Sequence, residues 1–104
     1  LSFKENCPDI RNTKVVDIVH EFQGYNCKVD VYDPWVNKQA VLNEYGFETV
    51  DTLERNKYDA IILAVGHDEF RKMSIRQIRC LGKENHVVYD VKYIFKANES
   101  DGRL

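Results

Sequence analysis

The feature that most constrains this chain is an unbroken apolar run, Ala60-Ile61-Ile62-Leu63-Ala64-Val65, set between Asp59 and Gly66-His67-Asp68. Six apolar residues are far too few to cross a bilayer, which takes about 20. A run without alternation does not suit a sheet face that meets water. It suits a central strand of a parallel sheet, covered on both faces. Parallel strands in turn need crossover connections, usually helices, to return the chain to the same edge.

The flanking sequence supplies them. Val15, Ile18, Val19 and Phe22 form the i, i+3, i+4, i+7 stripe of an amphipathic helix, with Asn12 or Thr13 as its cap and Gly24 as a left-handed end. Val29 and Val31 alternate with Asp30, which predicts a strand over about Lys28 to Tyr32 that stops at Pro34. A second helix is expected over roughly Val36 to Tyr45, with Ala40, Val41 and Tyr45 inward and Gly46 closing it. A short strand near Phe47 to Val50 and a helical turn through Thr52 to Arg55 follow. Ser74 and Gln77 make an S-x-x-Q capping box ahead of Ile75, Ile78 and Leu81, with Gly82 ending that helix. His86 to Val91 reads as the last core strand, and Leu1 to Phe3 as the tail of a truncated first one.

This rhythm predicts a three-layer αβα, Rossmann-like parallel sheet in the order 3-2-1-4-5. Residues from Ala97 onward are polar, so the domain is placed at 1–97 with a flexible tail over 98–104. No secretion signal opens the chain. A net charge of −2 lacks the positive stripe of a nucleic-acid binder. Cys7, Cys27 and Cys80 show no CxxC spacing, which suggests free thiols in a reducing cytoplasm, with Cys27 and Cys80 half-buried.

In open parallel sheets, ligands gather beyond the carboxyl ends of the strands. The residues expected there are Lys4, Glu5, Asn6, Asp9 and Arg11 after the first strand, and Asp33, Pro34 and Trp35 after the second. Gly66, His67 and Asp68 follow the fourth, and Asp90 and Lys92 belong to the fifth. Three cations at one edge suit a polyphosphate, because Lys and Arg make charge-assisted bonds to phosphate oxygens. Each could equally be a solvated loop residue.

No GxGxxG follows the first strand, and Lys4-Glu5-Asn6-Cys7-Pro8-Asp9 is too bulky to press against a pyrophosphate. Asp33 is read as a turn-stabilising residue ahead of Pro34, with a ribose contact as the alternative. His67 and Asp68 are read as a cleft-lining residue and a helix cap rather than a catalytic dyad. His20 and His86 are expected at the surface, Trp35 in packing or at an interface, and Cys7 beside Pro8. No His, Cys or Asp cluster has zinc spacing.

The run Leu1-Ser2-Phe3-Lys4 through Thr13 resembles a signature of the UDP-glucose/GDP-mannose dehydrogenase family, where G-L-x-F-K leads into D-x-R and the first helix of the C-terminal domain. Val31-Tyr32-Asp33-Pro34 resembles that domain's Y-D-P. Asp59 to Phe70, DAIILAVGHDEF, is similar to its D-A-x-x-x-A-V-x-H-x-x-F, and Asp90-Val91-Lys92 to the D-x-R/K that closes the last strand. These matches cover nearly all of residues 1–96 in order. The wording from Glu5 to Asp17 is most similar to the branch acting on UDP-N-acetylhexosamines.

The resemblance implies an oxidoreductase in which an N-terminal domain, absent from this chain, binds NAD, and two successive oxidations turn the sugar C6 alcohol into a carboxylate. By position it assigns Phe3, Lys4 and Lys92 to the UDP-sugar and Arg11 to the NAD phosphates. Lys92 stands where other branches carry Arg. The catalytic lysine, asparagine and GxGGxC cysteine have no counterpart here, so no catalytic residue and no metal ligand is assigned. The implied partners are the UDP-sugar, the N-terminal NAD-binding domain and further copies of the enzyme. Two other readings stay open. A phospho-receiver would need acidic residues where Leu1-Ser2-Phe3-Lys4 offers a cation, and has only Lys92 in its favour. The other is a non-catalytic dimerisation module.

Overall fold

The structure, a computed structural model, describes residues 5–8, 10 and 13–103, with backbone only at Thr13, Ala97 and Arg103. Expectations that fall on Leu1 to Lys4, Asp9, Arg11 and Asn12 lie outside the described residues. The fold is mixed α/β with a small parallel sheet, and it divides into two compact units, Leu1–Thr52 and Leu53–Leu104.

In the first unit, α1 spans Thr13–Gly24 and α2 spans Lys38–Tyr45. The buried stripe of α1 is Val15, Val16 and Val19, not the one that runs on to Phe22, which is 37% exposed. Five apolar residues in this helix allow two overlapping stripes, and the one centred nearer the start of the helix is used. The left-handed residue after α1 is Asn26, at φ 62°, rather than Gly24. Asn tolerates that region because its short polar side chain can bond locally.

Asn37 caps α2 by accepting from the Ala40 N–H at 2.9 Å, so the helix begins two residues later than its sequence pattern suggests. Gly46 ends it as expected, at φ 79°, with its N–H donating to the Leu42 carbonyl. Phe47 packs between Tyr45, stacked at 6.1 Å, and His20, edge-on at 6.2 Å. The strands expected at Lys28 to Tyr32 and Phe47 to Val50 contract to one parallel bridge, Val31 with Thr49. Both segments are bounded by turn residues and carry too few apolar positions to hold a longer ladder.

The second unit holds β1 (Tyr58–Leu63), α3 (Asp68–Lys72), α4 (Ile75–Arg79), β2 (Gly82–Asp90), a 3₁₀ turn (Ala97–Glu99) and β3 (Gly102–Arg103). No helical turn forms over Thr52 to Arg55. Instead Asn56 takes φ 55° and its N–H donates to the Cys80 carbonyl, which ties the entry of β1 to the end of α4. β1 and β2 pair in parallel, with Ile61 opposite Val88 and Leu63 opposite Asp90. One face of this pair buries Leu63 and Val88 against Ile78 of α4, with Met73, Ile75, Ile94 and Phe95 around them. Ala60 and Val87, registered on the other face, are exposed. Ile62, on that open face, is only half-buried, and so is Ile61 at the margin of the core, against the expectation for a strand covered on both faces; Leu63 and Val65 are buried as expected.

The capping box at the start of α4 is present in both directions: Ser74 Oγ accepts from the Gln77 N–H, and Gln77 Oε1 from the Ser74 N–H. Cys80, not Gly82, ends that helix. Gly82 begins β2, where a Cβ would sit 2.3 Å from Cγ of His86, so the ring occupies the space a side chain would need. His86 is accordingly half-buried rather than a plain surface residue.

The residues read as a flexible tail carry the 3₁₀ turn and β3, which pairs in parallel with β2. Asp101 organises them. Its Oδ2 accepts from the Val88 N–H at 2.8 Å and from Arg79 Nη1 at 3.1 Å, while Arg79 Nη2 donates to the Glu99 carbonyl. The hydrogen bonds from Arg79 and from the Val88 N–H hold the Asp101 carboxyl below its usual range, against an opposing effect of burial. A carboxylate with a depressed folded pKa adds stability that is fully present above its unfolded pKa, about 4. That stability disappears as pH falls through the lower folded value. The side chain is 42% exposed, so screening keeps the ion pair below about 1 kcal/mol. Asp101→Asn should therefore cost up to about 1 kcal/mol in urea unfolding at neutral pH, with the difference closing well below pH ~4. A difference that stays constant down to strong acid would contradict this role.

Candidate functional site

The carboxyl edge of the β1–β2 pair carries Gly66, His67 and Asp68 after β1, Asp90 at the end of β2 and Lys92 just past it. The ladder extends one residue past β2, because the Val91 N–H donates to the Leu63 carbonyl at 3.0 Å. On the β1 side the chain runs through Ala64, Val65 and Gly66 to His67, which is fully buried and precedes α3. His67, not Asp68, occupies the cap position of α3, and it caps without a side-chain bond. Its carbonyl accepts from the Phe70 and Arg71 N–H groups, and its ring lies 5.4 Å from that of Phe70. Asp68 sits in the first turn beside Glu69, where negative charge suits a helix N-terminus. The complete burial of the imidazole overturns the reading of His67 as a cleft-lining residue.

On the β2 side, Asp90 is fully buried, and its two carboxylate oxygens accept from the N–H groups of Ile94, at 3.0 Å, and Phe95, at 2.8 Å. A buried carboxylate is tolerated only when donors satisfy it, and here backbone donors do. The turn they close lifts Lys92 into solvent. The Lys92 ammonium has no ion-pair or hydrogen-bond partner among the described residues. An unpaired cation at the carboxyl edge of a parallel pair is the arrangement that can meet a phosphate without first breaking an internal salt bridge.

Of the other candidate residues, Phe3, Lys4 and Arg11 lie outside the described residues. Asp33 does stabilise its turn, accepting from the Trp35 N–H at 2.8 Å across Pro34. Cys27 and Cys80 are exposed, against the expectation of half-burial, and Cys7 is half-buried; all three are free thiols. No group of three or more His, Cys, Asp or Glu that could hold a metal occurs among the described residues. No helix among them is long and apolar enough to cross a membrane. The role of Asp90 was not read from the sequence. The available signal was an Asp at the end of a strand, four and five residues ahead of Ile94 and Phe95, the spacing its two bonds span.

Residues 1–97 match the UDP-glucose/GDP-mannose dehydrogenase family, UDP binding domain. The chain belongs to that family. It is 56% identical over 104 residues to a UDP-N-acetyl-D-glucosamine 6-dehydrogenase of Pseudomonas aeruginosa, covering all of this chain and 25% of that protein. A protein of the same name from Salmonella typhi is 52% identical over 99% of this chain and 24% of its own length. Protein CapL of Staphylococcus aureus is 36% identical over 95% of this chain and 23% of its own length. This UDP-binding domain thus spans about a quarter of the length of the curated relatives it matches. The matched residues stop at the boundary where the 3₁₀ turn begins.

Proposed function

We propose that this UDP-binding domain holds the UDP-sugar of an NAD-dependent UDP-sugar 6-dehydrogenase that oxidises the sugar C6 alcohol to a carboxylate. Its substrate is a UDP-N-acetylhexosamine, and the uronic acid product feeds surface polysaccharide synthesis. Phe3, Lys4 and Lys92 contact the substrate, and Arg11 reaches the NAD phosphates. The observation that carries this reading is Lys92, a cation without a partner among the described residues, at the carboxyl edge of a domain whose family is a UDP binding domain. The substrate class is supported by the two relatives named UDP-N-acetyl-D-glucosamine 6-dehydrogenase.

The dinucleotide itself does not fit here. Segment 4–9 has no glycine, and Asn6 in it takes φ 51°. NAD is held mainly by the part of the enzyme outside these residues, with Arg11 reaching its phosphates, and the catalytic thiol lies outside them too. We place the domain at 1–97, in a three-layer αβα fold with strand order 3-2-1-4-5. Two parallel pairings support that order, Val31 with Thr49 in one unit and β1 with β2 in the other. A cytoplasmic homo-oligomer is the form in which such an enzyme would meet its nucleotide-sugar and cofactor.

In the full-length enzyme, Lys92→Ala should raise KM for UDP-N-acetylglucosamine about tenfold or more, the loss of roughly 1.5–3 kcal/mol from one charge-assisted contact. Lys92→Arg should retain most of the affinity, because guanidinium also binds phosphate. Steady-state kinetics of both variants check this, and an unchanged KM in Lys92→Ala would remove Lys92 from the site.

A further inference from the structure

The turn after β2 has a conformation its residues would not choose unaided. Tyr93 takes φ 54°, a left-handed position that a bulky L residue rarely adopts, and its side chain is largely exposed. Strain of this kind persists only when surrounding structure over-determines it. Asp90 spans this position: it is fully enclosed and bonded to the backbone on the far side of Tyr93, at Ile94 and Phe95. These two N–H groups are its side-chain partners, and no cation pairs with it among the described residues. Ile94 and Phe95 are in turn packed against the core of Leu63, Ile78 and Val88. The stretch between the two ends of this clamp is Val91, Lys92 and Tyr93.

A neutral polar residue could fill the same space, so the need for a carboxylate is informative. The two N–H groups go to different carboxylate oxygens, Ile94 to Oδ1 and Phe95 to Oδ2, so both ends of the group accept. Asn offers one, and turns an NH₂ donor against the second N–H. From this we propose that Asp90 is the positioning residue of the substrate site: its enclosed carboxylate fixes the 91–95 turn in the shape that presents Lys92 to the diphosphate of the nucleotide-sugar. This rests on the assignment of Lys92 to the substrate. Asp90 itself touches no substrate. It acts on affinity only through where Lys92 stands.

The test is a double-mutant cycle in the full-length dehydrogenase, with KM for UDP-N-acetylglucosamine as the readout. Asp90→Asn keeps the side-chain volume and should raise KM about tenfold, since misplacing a binding group by about 1 Å can cost that much or more. The kcat should stay within about twofold, the pattern expected when binding alone is lost. The decisive measurement is Asp90→Asn combined with Lys92→Ala, whose KM should equal that of Lys92→Ala alone. Multiplicative effects would overturn the proposal, because a merely stabilising Asp90 would add its own independent loss. So would an unchanged KM in Asp90→Asn when Lys92→Ala raises it. An unchanged KM in Lys92→Ala sinks the site assignment itself, and this inference with it. Should Asp90→Asn fail to fold, Tyr93→Pro breaks the same turn from its exposed side, because proline cannot take a positive φ. The same KM rise and the same non-additivity with Lys92→Ala are expected from it, and their absence counts against the proposal.

Discussion

The purified 104-residue chain is expected to produce no NADH from NAD and UDP-N-acetylglucosamine above a protein-free control, while a full-length relative run alongside does. Enzymes of this general kind accelerate reactions by at least ~10⁶-fold, so the difference is all-or-none. Hydride transfer needs a site that positions the nicotinamide, and the aldehyde stage needs an activated thiol. Both are assigned above to the part of the enzyme outside these residues. The segment where a dinucleotide loop would lie is Lys4-Glu5-Asn6-Cys7-Pro8-Asp9, without a glycine. Cys27 and Cys80 are exposed and Cys7 is half-buried, and none stands in a GxGGxC setting. A cysteine becomes nucleophilic through a neighbouring base, a cation or a helix N-terminus. NADH formation by this chain, abolished by alkylating its thiols, would overturn the division of labour proposed above and assign catalysis to this domain.

What was legible in the sequence follows the range of the interactions involved. The capping box of Ser74 and Gln77, the helix end at Gly46 and the turn at Asp33 each depend on a few adjacent residues, and each occurs as read. The apolar run Ala60 to Val65 announced a parallel strand, and β1 with its parallel partner β2 is there. Misreadings cluster where distant contacts decide. The helical turn expected over Thr52 to Arg55 does not form ahead of Asn56, which bonds to the Cys80 carbonyl, and Asp101 tied the last residues to Arg79 and Val88, 22 and 13 positions away. Phe22 is a third case. Periodicity alone offered two faces of α1, and only packing could choose between them. At the carboxyl edge, the exposure of Lys92 follows from its place in a turn after the last core strand, whereas the structural role of Asp90 depends on the fold bringing two N–H groups onto one carboxylate. His67 carried a polar signal that suggested a cleft, and the fold buries it completely.

The largest stability effect should come from Ile78→Ala. Ile78 is 2% exposed and joins Leu63 of β1 to Val88 of β2, with Ile61, Met73, Ile75, Ile94 and Phe95 around them. It is the single buried residue of α4, a helix of five residues that has almost no intrinsic stability. Truncating such a side chain removes its transfer free energy and leaves a cavity, together about 2–5 kcal/mol. For a chain of this size each kcal/mol shifts the melting temperature by about 4–8 °C, so a loss near 3 kcal/mol lowers Tm by roughly 10–25 °C. Ser74→Ala at the cap of the same helix should cost only about 1 kcal/mol, because one hydrogen bond at a solvated helix end is lost. Thermal melts of the two variants by circular dichroism give the comparison. If Ile78→Ala melts no lower than Ser74→Ala, α4 does not depend on this core for its place against the sheet. The cluster beneath the 91–95 turn would then have to be held by β1 and β2 alone.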